Sequence, residues 1–217
     1  MPSNLYVTAD ELASWIDDAG MANLTDASGN DRRPMLETLA EAASRQVDAD
    51  CGRIFYRQVG ATRRYYPDIT GTVHLVDLIA SVVPTIVLDI QGNEVPTVTL
   101  ATTDYVLLPR IEQSGVEASA RYQAIKRNRF GGYQFFHGYA VDVTGDWGYI
   151  ESDGRAPSGI RTAVLIMASR LFMRRQAKLG RAVVLEAGIS EGLSKTDPDY
   201  LAQIEPYVLY RERWEMA

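Results

Sequence analysis

Between Ile54 and Tyr149 no apolar spacing of three or four residues is sustained over three turns, whereas the segments on both sides carry that helical period. A chain patterned this way argues against a βαβ fold, which needs a helix between successive strands. Inside the window the period is two. Val73-His74-Leu75-Val76-Asp77-Leu78 reads as one strand. Thr85–Ile90 and Val95–Leu100 bracket Gln91-Gly92-Asn93-Glu94, a hairpin signature. Asp104–Leu108, Tyr122–Lys126 and Tyr139–Thr144 complete a mostly antiparallel set, and Arg127–Gly138 reads as an aromatic loop or hairpin tip.

The flanks are helical. Thr8 with Glu11 three residues later is a capping box, Asp10 and Glu11 suit the positive end of the helix dipole, and Leu12, Trp15 and Ile16 form a stripe that Gly20 ends. Pro34 suits the first turn of a second helix, with Leu36, Leu39, Ala40, Ala43 and Val47 on one face and Cys51 extending it. Its other face carries Glu37, Glu41, Arg45 and Asp48, and Gly52 is a terminator. Pro157 opens a third helix in which Ile160, Ala163, Val164, Met167, Ala168 and Leu171 share a face. Residues 179–196 form a Gly-rich connection with a short strand at Ala182–Leu185. Asp197 caps a last helix that starts at Pro198, repeats Leu201, Ile204 and Val208, and should kink or end near Pro206. The expected fold is therefore α+β: a small bundle of two N-terminal and two C-terminal helices with a large inserted antiparallel β subdomain. It divides as residues 1–53, the β insert 54–150, and 151–217.

Composition narrows the function. At 217 residues, 46% of them hydrophobic, the chain can bury a real core. A net charge of −6 argues against broad affinity for nucleic acid, which needs a basic face. The single cysteine, Cys51, forbids an internal disulfide and fits a reducing compartment. The N-terminus lacks the pattern of a signal peptide, and the most apolar run, Ala163–Phe172, is too short to span a bilayer. A protein assembled in the cytoplasm, with no membrane association, is expected.

Catalytic patterns are scarce. His74 and His137 have no cysteine, histidine or paired carboxylate at ligand spacing, so no metal site is expected. His74 should face solvent or form a hydrogen bond. Gly188-Ile189-Ser190-Glu191-Gly192 matches the nucleophile elbow of serine hydrolases, but no histidine follows Ser190, so that triad order cannot be completed. Asp17-Asp18 and Asp48-Ala49-Asp50 fit no calcium loop, the second pair facing solvent by its spacing; no glycine pattern resembles a phosphate loop; and Asn23-Leu24-Thr25 matters only if secreted. No catalytic residue and no cofactor are expected.

Two surfaces remain. Arg170, Arg174, Arg175, Lys178 and Arg181 gather at the end of the third helix. One or two of them complement the helix dipole. Five suggest either a solvated charged face or a docking surface for an acidic partner or a phosphate backbone. Tyr200, Tyr207 and Trp214 recur every seven residues, with Tyr210 near the same line. Such a stripe is often core, yet it runs close to the chain end, where Tyr and Trp more readily serve as contact anchors.

The ordered set "LETLAEAASRQVDADCGRIF" (Leu36–Phe55), "TTDYVLLP" (Thr102–Pro109), "VDVTGDWGY" (Val141–Tyr149), a helix from Pro157 ending "SRLFMRRQ", and "DPDYLAQIEPYVLYR" resembles the head–tail connector (adaptor) family of tailed bacteriophages and related prophages. The resemblance spans nearly the whole chain, which departs from the small, nearly all-helical members by its β insert. It implies a structural virion protein of the neck, between capsid and tail. There a homo-oligomeric ring, typically a dodecamer, would sit beneath the portal protein and receive a stopper or tail-completion protein, with DNA passing through unbound. By position it implies portal contacts from Pro198–Trp214, including Tyr200, Tyr207, Tyr210, Arg211 and Trp214. Asp146, Trp147, Gly148 and Tyr149 are read as the turn returning the chain from sheet to helices, with Trp147 buried against the Pro157 helix. The competing readings are a neck protein acting at the tail end and a hydrolase using Ser190.

Overall fold

In the computed structural model, the described residues are 4–17, 31–80, 82–89, 98–109, 121–128, 139–176 and 197–209. The chain falls into two compact units, one built from the residues up to Gly52 together with Ala156–Leu209, the other from Arg53–Arg155. The fold is α+β, and the described residues form four α-helices and a curled antiparallel sheet of seven strands.

The helical unit holds α1 (Ala9–Asp17), α2 (Arg33–Cys51), α3 (Ser158–Gln176) and α4 (Pro198–Ile204), followed by a 3-10 turn at Glu205–Tyr207. The capping box starts α1: the Thr8 amide donates to the Glu11 carboxylate at 2.7 Å, and the Glu11 amide donates to Thr8 Oγ1 at 3.1 Å. Helix α2 ends where Gly52 takes φ 68°, a left-handed conformation that costs a residue without Cβ little. Helix α3 is the hub and touches α1, α2 and α4. Its Ile160, Ala163, Val164, Ala168 and Phe172 are buried, as are Leu12 and Ile16 of α1 and Leu36, Ala40, Ala43 and Val47 of α2. The Asp197 carboxylate caps α4, accepting from the Asp199 amide at 2.9 Å, and the helix gives way to the 3-10 turn that contains Pro206.

The second unit contains β1 (Gln58–Tyr65), β2 (Thr72–Ile79), β3 (Thr85–Leu88), β4 (Val98–Thr99), β5 (Tyr105–Leu108), β6 (Arg121–Arg127) and β7 (Val141–Trp147). The sheet order is β4-β3-β7-β2-β6-β5, with β1 on β7 as well. Strand β7 is the organiser. It pairs β1 from Tyr65↔Val141 to Gln58↔Trp147 and β3 from Thr85↔Thr144 to Leu88↔Val141. Among the described residues it meets β2 only at Leu78↔Trp147. The sheet is therefore two leaves joined at that bridge, and it curls around a core of Val73, Leu75, Leu78, Ile86, Leu88, Ile125, Val141, Val143 and Trp147.

Two details depart from the simple alternation read in the sequence. Val73 and Leu75 point inward, but so does Leu78, because Asp77 adopts φ 56° and the register with β6 slips between His74 and Leu78. This bulge resets the face on which β2 is buried. Strand β1 is absent from the pattern read in the sequence. Its residues QVGATRRY are all exposed or half-buried, and although Ala61 and Tyr65 pack against the core, Arg63 between them breaks the apolar alternation, so the strand is defined by the partner it finds in β7. The Gln91–Glu94 turn lies outside the described residues, although the strands beside it pair antiparallel at Val87↔Thr99 and Leu88↔Val98.

Candidate functional site

The segment Asp146-Trp147-Gly148-Tyr149, read as a turn in the sequence, is the end of β7 and the two residues that follow it, and it is heavily tied. Asp146 is 4% exposed, and its carboxylate accepts from Arg57 Nε at 2.8 Å and Nη2 at 2.5 Å and from the Gly60 amide at 2.9 Å. Trp147 is wholly buried; its indole N–H donates to the Ala61 carbonyl at 2.7 Å, Tyr65 packs on its ring, and the Arg63 guanidinium lies 4.4 Å from the ring centre. The burial expected of Trp147 is present, and these partners belong to the sheet. Gly148 donates to the Asp77 carbonyl and Tyr149 to the Ile54 carbonyl, both at 2.9 Å. Arg121 stacks 3.3 Å over the Tyr149 ring, and Arg53 lies 4.8 Å from it while pairing with Asp77 at 3.6 Å. Burial raises the Asp77 carboxyl despite Arg53, Arg121 and Arg63.

For Asp146 the balance is opposite. Burial alone would raise its pKa, but the Gly60 amide and Arg57 hold it below the ordinary carboxylate range. A depressed folded-state pKa contributes stability above the unfolded value, about 3.9, and that contribution is lost as pH falls through the lower folded value. Asp146→Asn should lower stability at neutral pH by about 1–3 kcal/mol and flatten the loss of stability below about pH 4. Urea titrations from pH 7 to pH 2 measure this; an acid limb identical to that of wild type contradicts it.

His74 sits near the start of β2 and reaches back to Asp68 in the β1–β2 connection. Asp68 organises that turn, accepting from the Thr70 amide at 2.8 Å and the Thr72 amide at 2.9 Å, and His74 Nε2 lies 3.1 Å from its other oxygen. Burial acts to raise the Asp68 carboxyl, but the Thr70, Thr72 and His74 hydrogen bonds together hold it well below its usual range. Asp48 and Asp50 are engaged as well. Tyr6 donates to Asp48, so that carboxylate is half-buried and not turned to solvent as its spacing suggested, and Tyr200 donates to Asp50 at 2.5 Å.

The two surfaces read from the sequence are described only in part. Tyr200 is 3% exposed, and burial together with Asp50 pushes its hydroxyl pKa upward, so its ring belongs to the helical core. Tyr207 is half-buried beside Gly159, while Tyr210, Arg211 and Trp214 lie outside the described residues. Arg170 pairs with Asp197 at 3.3 Å, and Arg174 is exposed on the last turn of α3. Arg175 is on the same turn, its side chain outside what is described, as are Lys178 and Arg181. Sequence reading misses Trp15, 44% exposed at the rim of a groove between α1 and α3, where its spacing suggests core.

Among the described residues no three His, Cys, Asp or Glu side chains cluster as a metal site, and no helix is long and apolar enough to cross a membrane. The α1–α3 groove holds Glu11, engaged with Thr8, and Arg161. Cys51 is buried, and His137 and Ser190 lie outside the described residues.

No family model matches the chain, and no curated protein matches it. Among solved structures, it is similar to a chain in the neck of an empty GTA particle computed with C6 symmetry, with 16% identity and a TM-score of 0.54 over 92% of this chain and 89% of that one. It is also similar to a chain of the virion of a native gene transfer agent (GTA) particle, with 15% identity and a TM-score of 0.55 over 97% and 93%. At such identities the likeness is one of fold, and it takes in both units of the chain.

Proposed function

We propose that this chain is a structural protein of the neck of a phage-like particle, a head-to-tail connector that forms a ring under the portal and links it to the stopper or tail components. The observation that carries the reading is the fold shared along almost the full length of both chains with a protein of a C6-symmetric GTA neck. Coverage of 92% is too large to leave out the β unit, so that unit is part of the likeness and not an addition to it. A ring is the closed form of a head-to-tail contact. Twelve copies is the number to expect of such a ring. The net charge of −6 suits a channel through which DNA slides without sticking. On this reading the chain performs no catalysis, and it resides in the particle neck after assembly in the host cytoplasm.

The chain end is the portal-facing element of the proposal, with Tyr207, Tyr210, Arg211 and Trp214 as its contacts and Tyr200 anchoring the helix before them. Deleting Tyr210–Ala217 leaves the hydrogen bond from the Leu209 amide to the Cys51 carbonyl, 2.9 Å, in place. The truncated chain should keep its melting temperature and lose attachment to purified portal, read as the mass of the mixture. Retained attachment favours the alternative, a neck or tail-completion protein acting at the tail end.

A further inference from the structure

Helix α3 has no charged side chain along the middle of its outer arc. Thr162, Leu165, Ile166, Ser169 and Met173 recur at helical spacing opposite its buried face. A surface helix normally carries charges there. Met173 is 36% exposed, Leu165 and Ile166 are half-buried, and exposed Trp15 of α1 lies beside Leu165 along the same edge. Arg170 and Arg174 flank the arc at its C-terminal end.

The outer arc of α2 is its complement. Thr38, Ala42 and Ala49 are exposed and small along the centre, Arg45 between them is half-buried and paired with Asp48 at 3.1 Å, and the exposed carboxylates Glu37 and Glu41 line one flank. Apolar side chains beside the exposed Arg174 on α3 thus have a counterpart on α2 in small side chains beside the exposed Glu37 and Glu41. Both arcs belong to one unit, so each copy carries both halves of a contact.

We propose that the outer arc of α3, with Trp15 at its edge, docks on the outer arc of α2 of a second copy of this chain, head to tail. Two different patches on each copy generate a ring when the rotation closes. This assignment rests on the neck-ring reading and goes beyond it by naming the faces that meet. Apolar side chains at the centre of the patch supply the affinity, and the Arg174 and Glu41 charges fix orientation.

The test uses the full-length chain in assembled particles and, in parallel, at high protein concentration. Ala42→Cys with Ile166→Cys should give under oxidation a ladder of dimers, trimers and larger species, and either substitution alone should give none. Buried Cys51 serves as the wild-type control. Glu41→Lys or Arg174→Glu alone should weaken assembly about tenfold or more, and the two together should restore it, as expected of a charge pair across a contact. A ring of the correct mass with no ladder overturns the assignment of faces and leaves the neck reading standing. Dimers from Ile166→Cys alone indicate a two-fold contact and overturn the head-to-tail arrangement. Monomers under every condition, in particles included, overturn both.

Discussion

Replacing Gly148 with alanine should destabilise the β unit by roughly 4 kcal/mol or more, at the upper end of what a single substitution does. The backbone there adopts φ 138°, which L side chains rarely enter, and an added Cβ would lie 2.1 Å from the Tyr56 carbonyl oxygen and 3.0 Å from its carbon. Both are main-chain atoms, so no side chain can swing aside. Relief requires parting Gly148 from Asp77 and Tyr149 from Ile54, the bonds that stitch the first and last segments of the unit together. Two further glycines calibrate the effect. At Gly145 the Cβ would meet Leu78 Cδ1 at 2.8 Å, the far end of a flexible chain, so Gly145→Ala should cost about 1–3 kcal/mol. At Gly154, φ 79° with open space around it, Gly154→Ala should cost about 1–2 kcal/mol from conformation alone. Chemical denaturation of the three variants checks the order. Equal losses at Gly148 and Gly154 would show that the close approach to Tyr56 is not what holds the turn.

The second large effect is expected next door. Trp147→Ala should remove about 3–5 kcal/mol, because it deletes the largest fully buried side chain at the bridge between the two leaves of the sheet. The loss has two parts that separate experimentally. Trp147→Phe keeps most of the apolar volume and leaves the Ala61 carbonyl without the indole N–H, so it should cost about 1–3 kcal/mol. The difference between the two variants reports packing against Leu78, Tyr65 and the Arg63 guanidinium. If alanine and phenylalanine cost the same, the hydrogen bond holds the bridge and packing around the indole does not.

Much of this architecture is legible in the residues. Thr8 and Glu11, Pro34 and Gly52, Asp197 and Pro198 mark helix ends by local chemistry that needs no tertiary partner, and the structure places α1, α2 and α4 accordingly. The change from helical to two-residue period at Ile54 is legible for the same reason. Strand β1 is not, since an edge strand whose inward side mixes Ala61 and Tyr65 with Arg63 is fixed by its neighbour β7 more than by an apolar face of its own. The slip at Asp77 is equally hidden: nothing local to aspartate demands φ 56°, and only the core that Leu78 enters does. Trp15 is exposed where its spacing suggested core, and Tyr200 is buried where its place near the chain end suggested contact. An aromatic at stripe position is buried or exposed according to what packs above it, and for Tyr200 that includes Asp50, far away in the sequence.

The candidate surfaces follow the same division. The cations of α3 and the aromatics near the chain end are plain in the sequence. The uncharged outer arc of α3 emerges only when Ile160, Ala163, Val164, Ala168 and Phe172 are known to be the inner one.

Electron microscopy of intact particles with this chain labelled tests the connector role most directly. The expected image is a closed ring of copies at the collar, between portal and tail, with α2 and α3 of neighbouring copies in contact. Label on the capsid shell, along the tail tube or absent from the particle would contradict that role.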